Sequence, residues 1–128
     1  MRKDYYEFNP CIYPRLLWAV IGNTELVTEN FTDRNHNELD EKDFCDCDGA
    51  TSRARCKAND RQGSLIWIPS HSLDDVNTIA HEAVHSTNFI FNDLEVDFNF
   101  DSDEHYAYMV GWVAGCVQMA INEYKKGG

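Results

Sequence analysis

Apolar runs and polar stretches alternate along the chain and predict a small sheet followed by two helices. Residues 16–21 form a short apolar run between Pro14 and Gly22, which is typical of a buried strand. Residues 24–31 favour a short helix. Residues 32–49 are rich in Asp, Asn and Glu and have no apolar period, so they indicate a surface loop.

A β-hairpin is predicted next. Residues 50–57 suit an exposed strand, and residues 59–63 have the composition of a turn. Residues 64–69, Ser-Leu-Ile-Trp-Ile-Pro, then indicate the second strand of the hairpin.

The next segment predicts an amphipathic helix from Leu73 to about Phe91. Ser72 is expected to cap it, with Asp75 at the third helical position as in a capping box. The side expected to face the core carries Val76, Ile79, Ala80, Ala83, Thr87 and Ile90. The opposite side is a polar strip suited to a cleft, formed by Asp74, Asn77, Thr78 and Asn88.

A polar loop over residues 92–102 leads to a final helix, capped by Ser102 or Asp103 and reaching about Lys125. Most of its circumference is apolar, through Tyr106, Met109, Val110, Val113, Val117 and Ile121. On the side of Glu104, mostly small residues favour the close approach of another helix: Ala107, Tyr108, Gly111 and Gly115. The sequence thus predicts one α+β domain over residues 1–128, with a small antiparallel or mixed sheet packed on a motif helix and a buried C-terminal helix.

Composition narrows the functional classes. The chain has 128 residues, 43% hydrophobic and 12% aromatic, as expected of one folded domain. The formal charge of -11 argues against nucleic acid or an anionic membrane as the partner. No apolar run reaches the length of a signal peptide or a membrane span, and the cysteine count of five is odd. These features favour a cytoplasmic protein with reduced thiols.

Residues 81–85 of the motif helix read His-Glu-Ala-Val-His. Residues four apart on a helix lie about 40° apart around its axis, so His81 and His85 project from one face and can share a Zn²⁺ ion. Glu82 lies beside that position, where a carboxylate can take a proton from zinc-bound water. The alternative is a pair of core histidines, but the polar side of the helix argues against it.

A catalytic zinc ion needs a third protein ligand and a position for water. Glu104 follows His85 after 18 intervening residues and is the first candidate. Asp101 and Asp103 are fallback ligands, whereas His105 points about 100° away from Glu104. Another interpretation is that Glu104 only favours the dipole of the final helix.

With His81, Glu82, His85 and Glu104 the chain resembles a minimal gluzincin-type zinc metallopeptidase. It also resembles small peptidases predicted in bacteriophages and integrated elements, most strongly over residues 64–117. Metzincins are excluded because Asn88 and Phe91 stand where that class has Gly and His.

The resemblance implies a zincin-like fold, one catalytic Zn²⁺, a peptide or protein substrate and, for a phage-encoded chain, the cytoplasm of a bacterial host. It also implies that residues 65–68 are the edge strand that holds the substrate.

The mechanism implied is attack of zinc-activated water on a peptide carbonyl, with Glu82 as general base and proton donor to the leaving amine. Tyr108, His105, Tyr106 and His71 are candidate donors to the oxyanion, although Tyr106 is more typical of a core aromatic. Thermolysin-like enzymes have an Asp four residues after the ligand Glu, where this chain has Tyr108. The group that supports a ligand histidine is therefore either different in this chain or supplied by Asp74 or Asp75.

The cysteines allow a second metal. Cys45, Cys47 and Cys56, with His36, could form a structural zinc site, although the spacing matches no strong pattern and favours incidental or buried thiols. A Cys as third ligand, as in peptide deformylases, is disfavoured because the other motifs of those enzymes are absent. Cys11 and Cys116 are expected in the core.

An alternative function is a non-catalytic binding protein of zincin fold, such as a phage accessory or virion component. Its zinc would be structural and closed by four ligands, the fourth being a Cys or His36.

Overall fold

A computed structural model describes residues 3–127, so residues 1–2 and 128 of the predicted domain lie outside the described residues. Its strands and α-helices are β1 (Tyr6–Phe8), β2 (Leu16–Ile21), α1 (Glu25–Asn30), β3 (Phe31–Thr32), β4 (Ala50–Cys56), β5 (Gln62–Ile68), α2 (Val76–Asp93) and α3 (Glu104–Lys125). The three predicted strands and the two long helices occur in the predicted order, whereas the short strands β1 and β3 were not predicted. No helix within residues 3–127 is long and apolar enough to cross a membrane.

The strands form one mixed sheet in the order β1-β2-β5-β4-β3. β2 and β5 are parallel, with Leu16 opposite Gly63, and the other pairs are antiparallel. The α+β class, the mixed sheet and the β4–β5 hairpin are therefore confirmed.

The prediction that residues 65–68 form an edge strand is wrong, because β5 lies between β2 and β4. The physical reason is already visible in its composition. Leu65, Ile66, Trp67 and Ile68 have no polar residue between them, and all four are buried. A strand that is apolar on both faces belongs in the middle of a covered sheet.

Each face of the sheet has its own core. One face packs against α2 and α3 through Leu17, Ala19, Ile21, Ile66 and Ile68. The other carries Leu16, Trp18, Val20, Leu65 and Trp67, which are covered by Val27, Phe31 and Phe44. Residues 32–49 are mostly exposed, as predicted, but Phe44 in the short 3-10 turn Glu41–Phe44 is buried against this second face.

Helix α2 begins three residues later than predicted. Asp75 is its N-cap and accepts hydrogen bonds from the backbone N–H groups of Asn77 and Thr78, at 3.0 and 3.4 Å. Ser72 is instead buried in the 3-10 turn Ser70–Ser72, so its predicted capping role is wrong. The carboxylate is a strong acceptor for free N–H groups at a helix start, which explains why the helix begins after it.

The predicted core side of α2 is confirmed at four positions, since Ile79, Ala83, Thr87 and Ile90 are buried. Val76 and Ala80 are exposed, so the predicted stripe extends too far at the start of the helix.

Helix α3 begins and ends as predicted but is not buried all round. Met109, Val113 and Val117 face the core. The opposite side, which includes Glu104, is exposed, and a Cβ added at Gly111 or Gly115 would meet no atom within 4 Å. The predicted close approach of a helix at these glycines is therefore wrong, because α3 lies on the outside of the sheet and uses one apolar stripe.

All five cysteines are free thiols. Cys116 is buried as predicted, but Cys11 is exposed in the loop after β1, so its predicted core position is wrong.

Candidate metal site

The two histidines of the motif converge on the exposed side of α2. Their Nε2 atoms lie 3.1 Å apart, and the rings are inclined by 75°. Two nitrogen ligands at 2.0–2.1 Å from a tetrahedral zinc ion stand about 3.3 Å apart. His81 and His85 are therefore spaced to share one metal ion. This agreement with zinc geometry covers two protein ligands.

Glu82 is held behind this pair. Its side chain is 8% exposed, and Oε2 lies 4.0 Å from Nε2 of His81. The hydroxyl of Thr51 on β4 donates a 2.7 Å hydrogen bond to Oε1 of Glu82. The carboxylate is thus fixed between a strand and the first histidine, close to the position that a shared ion would take.

The chain entering β4 passes unusually close to α2. A Cβ added at Gly49 would lie 2.9 Å from Cγ2 of Thr78 and 3.3 Å from Cγ of Glu82. Glycine allows this approach because it has no side chain. Beside it opens a cleft of about 480 Å³, lined by Asp48, Gly49, Asp75, Asn77, Thr78, His81 and Glu82.

Two further carboxylates face this cleft. The hydroxyl of Thr78 donates a 2.8 Å hydrogen bond to Asp75 and is the main reason that the pKa of Asp75 is lowered. Asp48 lies 3.1 Å from Nε2 of His71. His71, a predicted oxyanion donor, therefore stands next to a residue that lines the cleft. Asp74 instead pairs with Lys125. Both candidates for supporting a histidine, Asp74 and Asp75, therefore already have other partners.

Glu104 is exposed at the start of α3. Two residues further on, the hydroxyl of Tyr106 donates a 2.7 Å hydrogen bond to Asn88, one turn beyond His85. Within residues 3–127 no group of three or more His, Cys, Asp or Glu side chains is arranged to hold a metal ion. The structure therefore does not bring Glu104 to the two histidines, and its role as ligand stays a prediction.

The fallback ligands Asp101 and Asp103 are exposed just before α3. Neither is brought into a metal-binding group with the histidine pair.

The other two predicted catalytic residues lie elsewhere on α3. His105 stacks on Phe91 at 5.5 Å, and its Nε2 lies 3.3 Å from the carbonyl oxygen of Asp97. Tyr108 is 75% exposed. Both line an apolar cavity of about 400 Å³ with Pro10, Ile12, Tyr13, Met109 and Trp112. This cavity shares no lining residue with the cleft of His81 and Glu82, and a catalytic role for either residue stays a prediction.

The predicted structural zinc site of the cysteines is not formed among residues 3–127 either. His36 lies 3.0 Å from Asp60, and the thiol of the buried Cys56 shares a 3.5 Å hydrogen bond with the hydroxyl of Tyr5. That hydrogen bond is the main reason that the pKa of Tyr5 is raised to about 12. Cys45 and Cys47 do not join Cys56 in a metal-binding group among residues 3–127.

Sequence reasoning missed Asp48 and Gly49, which line the cleft, and Thr51, which holds Glu82. Thr51 is separated from Glu82 by the whole β5 strand, and only the fold shows that β4 lies beside that part of α2.

No protein-family model, no curated protein and no solved structure matches this chain. The functional argument therefore depends on the residues of the site themselves.

Proposed function

We propose that the chain is a zinc-dependent peptidase of gluzincin type, with a zincin-like arrangement of its hairpin and two long helices. The observation that carries the proposal is the convergence of the His81 and His85 Nε2 atoms to 3.1 Å, with the Glu82 carboxylate 4.0 Å from His81. A purely structural pair of histidines has no need of an acid fixed beside it.

His81 and His85 would hold the metal. When bound, zinc supplies a Lewis acid that polarises a carbonyl and makes water more acidic. Glu82 takes a proton from the attacking water and passes it to the leaving amide nitrogen. Thr51 positions Glu82 by its hydrogen bond, which also satisfies a largely buried carboxylate oxygen.

The third ligand is a separate part of the proposal. Glu104 retains the gluzincin spacing from His85, and we assign it this role. Asp48 is the competing candidate, because it faces the same cleft as His81 and Glu82.

The substrate strand is reassigned from β5 to β4. β3 pairs with β4 only at Arg55 and Cys56, so no strand within residues 3–127 pairs with the outer edge of residues 50–54. An extended peptide can add to such an edge by backbone hydrogen bonding. Because Thr51 is in this segment and contacts Glu82, a peptide bound there would run past the general base.

The test is hydrolysis of a mixed peptide library by zinc-loaded protein, compared with Glu82→Gln. We expect the substitution to lower kcat/KM about a hundredfold or more while the zinc content stays unchanged. Zinc binding with no hydrolysis by the wild type would instead favour the non-catalytic binding protein of zincin fold.

A further inference from the structure

A second cavity lies along the same helix as the histidine pair. It has a volume of about 720 Å³ and is formed by the end of α2, the loop that follows it and the first turns of α3. Its lining combines carboxylates, amides and aromatic rings: Asn88, Phe91, Asn92, Glu95, Val96, Asp97, Phe98 and Tyr106. No residue of the proposed catalytic set lines it.

The charge of this cavity is uniformly negative. Glu95 and Asp97 are its two ionisable carboxylates, and no basic residue lines it. Neither carboxylate forms an ion pair with another residue in the range 3–127. Some other exposed carboxylates are paired, such as Asp60 with Arg55 at 3.3 Å. The two carboxylates thus leave room for a cation from outside the chain.

The aromatic side chains give the cavity a shape suited to a planar cation. The rings of Phe98 and Tyr106 are 4.8 Å apart and inclined by 69°, and those of Phe91 and Tyr106 are 5.9 Å apart and inclined by 64°. Aromatic faces attract Arg and Lys side chains, and a guanidinium both stacks on a ring and binds a carboxylate through paired hydrogen bonds. Asn88 and Asn92 add amide oxygens that can accept from its remaining N–H groups.

The position of the cavity relates it to the proposed site. Asn88 follows His85 by three residues, which on a helix is about 4.5 Å along the axis. An extended peptide advances about 3.3 Å per residue. A side chain that enters the cavity at the end near Asn88 would therefore belong to a residue within about two positions of a bond held at His81 and His85.

We propose that this cavity is a specificity pocket for a basic side chain, arginine in preference to lysine, next to the bond that is cleaved. The inference rests on the proposed peptidase function for its biological meaning. The binding preference itself depends only on the cavity.

The test measures binding without cleavage. Glu82→Gln protein is titrated with three blocked pentapeptides, acetyl-Gly-Gly-Xaa-Gly-Gly-amide with Xaa as Arg, Lys or Leu, and NMR chemical shifts report affinity and place. We expect the Arg peptide to bind at least about tenfold more tightly than the Leu peptide, with shifts at residues 88–98 and 106. The double variant Glu95→Gln/Asp97→Asn should lose this preference.

The matched control is Glu29→Gln/Asp43→Asn, which removes the same two charges from exposed positions outside the cavity. It should keep the Arg preference, whereas loss in both double variants would show general electrostatic attraction and overturn the pocket. Equal binding of the Arg and Leu peptides by the parent protein would also overturn it.

Because the measurement uses Glu82→Gln protein, absence of hydrolysis by the wild type would remove the peptidase proposal without touching this result. Conversely, if the wild type is an active peptidase but the titration shows no preference for Arg, the proposed function stands and the proposed specificity pocket is refuted.

Discussion

The hydroxyl of Thr51 lies 2.7 Å from Oε1 of Glu82 and joins strand β4 to the proposed general base. Thr51→Val keeps the shape of the side chain but leaves this carboxylate oxygen without its donor. A hydrogen bond to a charged group is worth about 1.5–3 kcal/mol, so we expect kcat/KM on a cleaved library peptide to fall roughly tenfold to a hundredfold. Thr51→Ser retains the donor and should keep most of the activity. Full activity of Thr51→Val would contradict a positioning role.

The ligand set can be decided by zinc analysis of single variants. His81→Ala and His85→Ala should each weaken zinc affinity by roughly a hundredfold or more, since each removes a proposed direct ligand. Glu104→Ala is expected to do the same and Asp48→Ala to leave affinity unchanged. The reverse result for these two would identify Asp48 as the third ligand. His36→Ala serves as the control, because His36 pairs with Asp60 away from the cleft.

A buried pair of hydroxyls joins α2 to the sheet. Ser86 donates a 2.8 Å hydrogen bond to Ser64 of β5, and both side chains are fully buried. Ser86→Ala leaves the other hydroxyl unsatisfied, so we expect a loss of about 1–3 kcal/mol in the free energy of unfolding. The double variant Ser64→Ala/Ser86→Ala should lose less than the sum of the single losses, as measured by urea denaturation. Additive losses would show that the two hydroxyls do not interact.

The N-cap of α2 predicts a specific dependence on pH. The Thr78 hydroxyl and the nearby backbone N–H groups lower the pKa of Asp75 below its usual value of 3.8. A carboxyl whose pKa is lower in the folded state stabilises the protein above pH 3.8, and this contribution is lost as the pH falls through the folded-state pKa. Asp75→Asn keeps a good capping residue but removes the charge.

The urea midpoint of the wild type should therefore exceed that of Asp75→Asn near neutral pH, and the gap should narrow as the pH is lowered towards about 2. Asp43→Asn, at an exposed position outside α2, serves as the control for removing one surface charge. A gap that widens in acid would refute the assignment.

The sequence predicted the elements that have strong local patterns. The run of residues 16–21, the hairpin and both long helices were placed within a few residues, because their apolar periods and turn residues are local signals. The order of the strands was not predicted, because it depends on β2 pairing with β5 across the chain. The location of the open strand edge was also wrong, although the apolar composition of residues 65–68 indicates a central strand.

The motif predicted which face of α2 carries the histidines, and the structure places their Nε2 atoms at 3.1 Å. It could not predict that Thr51 supports Glu82, since that contact depends on how α2 lies across the hairpin. The spacing between His85 and Glu104 is a separation in sequence, and it does not fix their distance in space. The Tyr106–Asn88 hydrogen bond shows how α3 aligns with α2, which the spacing alone does not reveal.

The parallel pairing of β2 with β5 has a consequence for how the protein reaches its native state. A Cβ at Gly63 would lie 2.0 Å from the carbonyl oxygen of Leu16, so the two backbones meet closely at the start of this pair. The hairpin and α2 are continuous in the chain and can form through local contacts. β2 can pair with β5 only after residues 22–62 have closed into a loop. Contacts between distant parts of a chain form slowly because loop closure costs entropy before they are made. Refolding should therefore show hydrogen-exchange protection in β4, β5 and α2 before protection appears in β2.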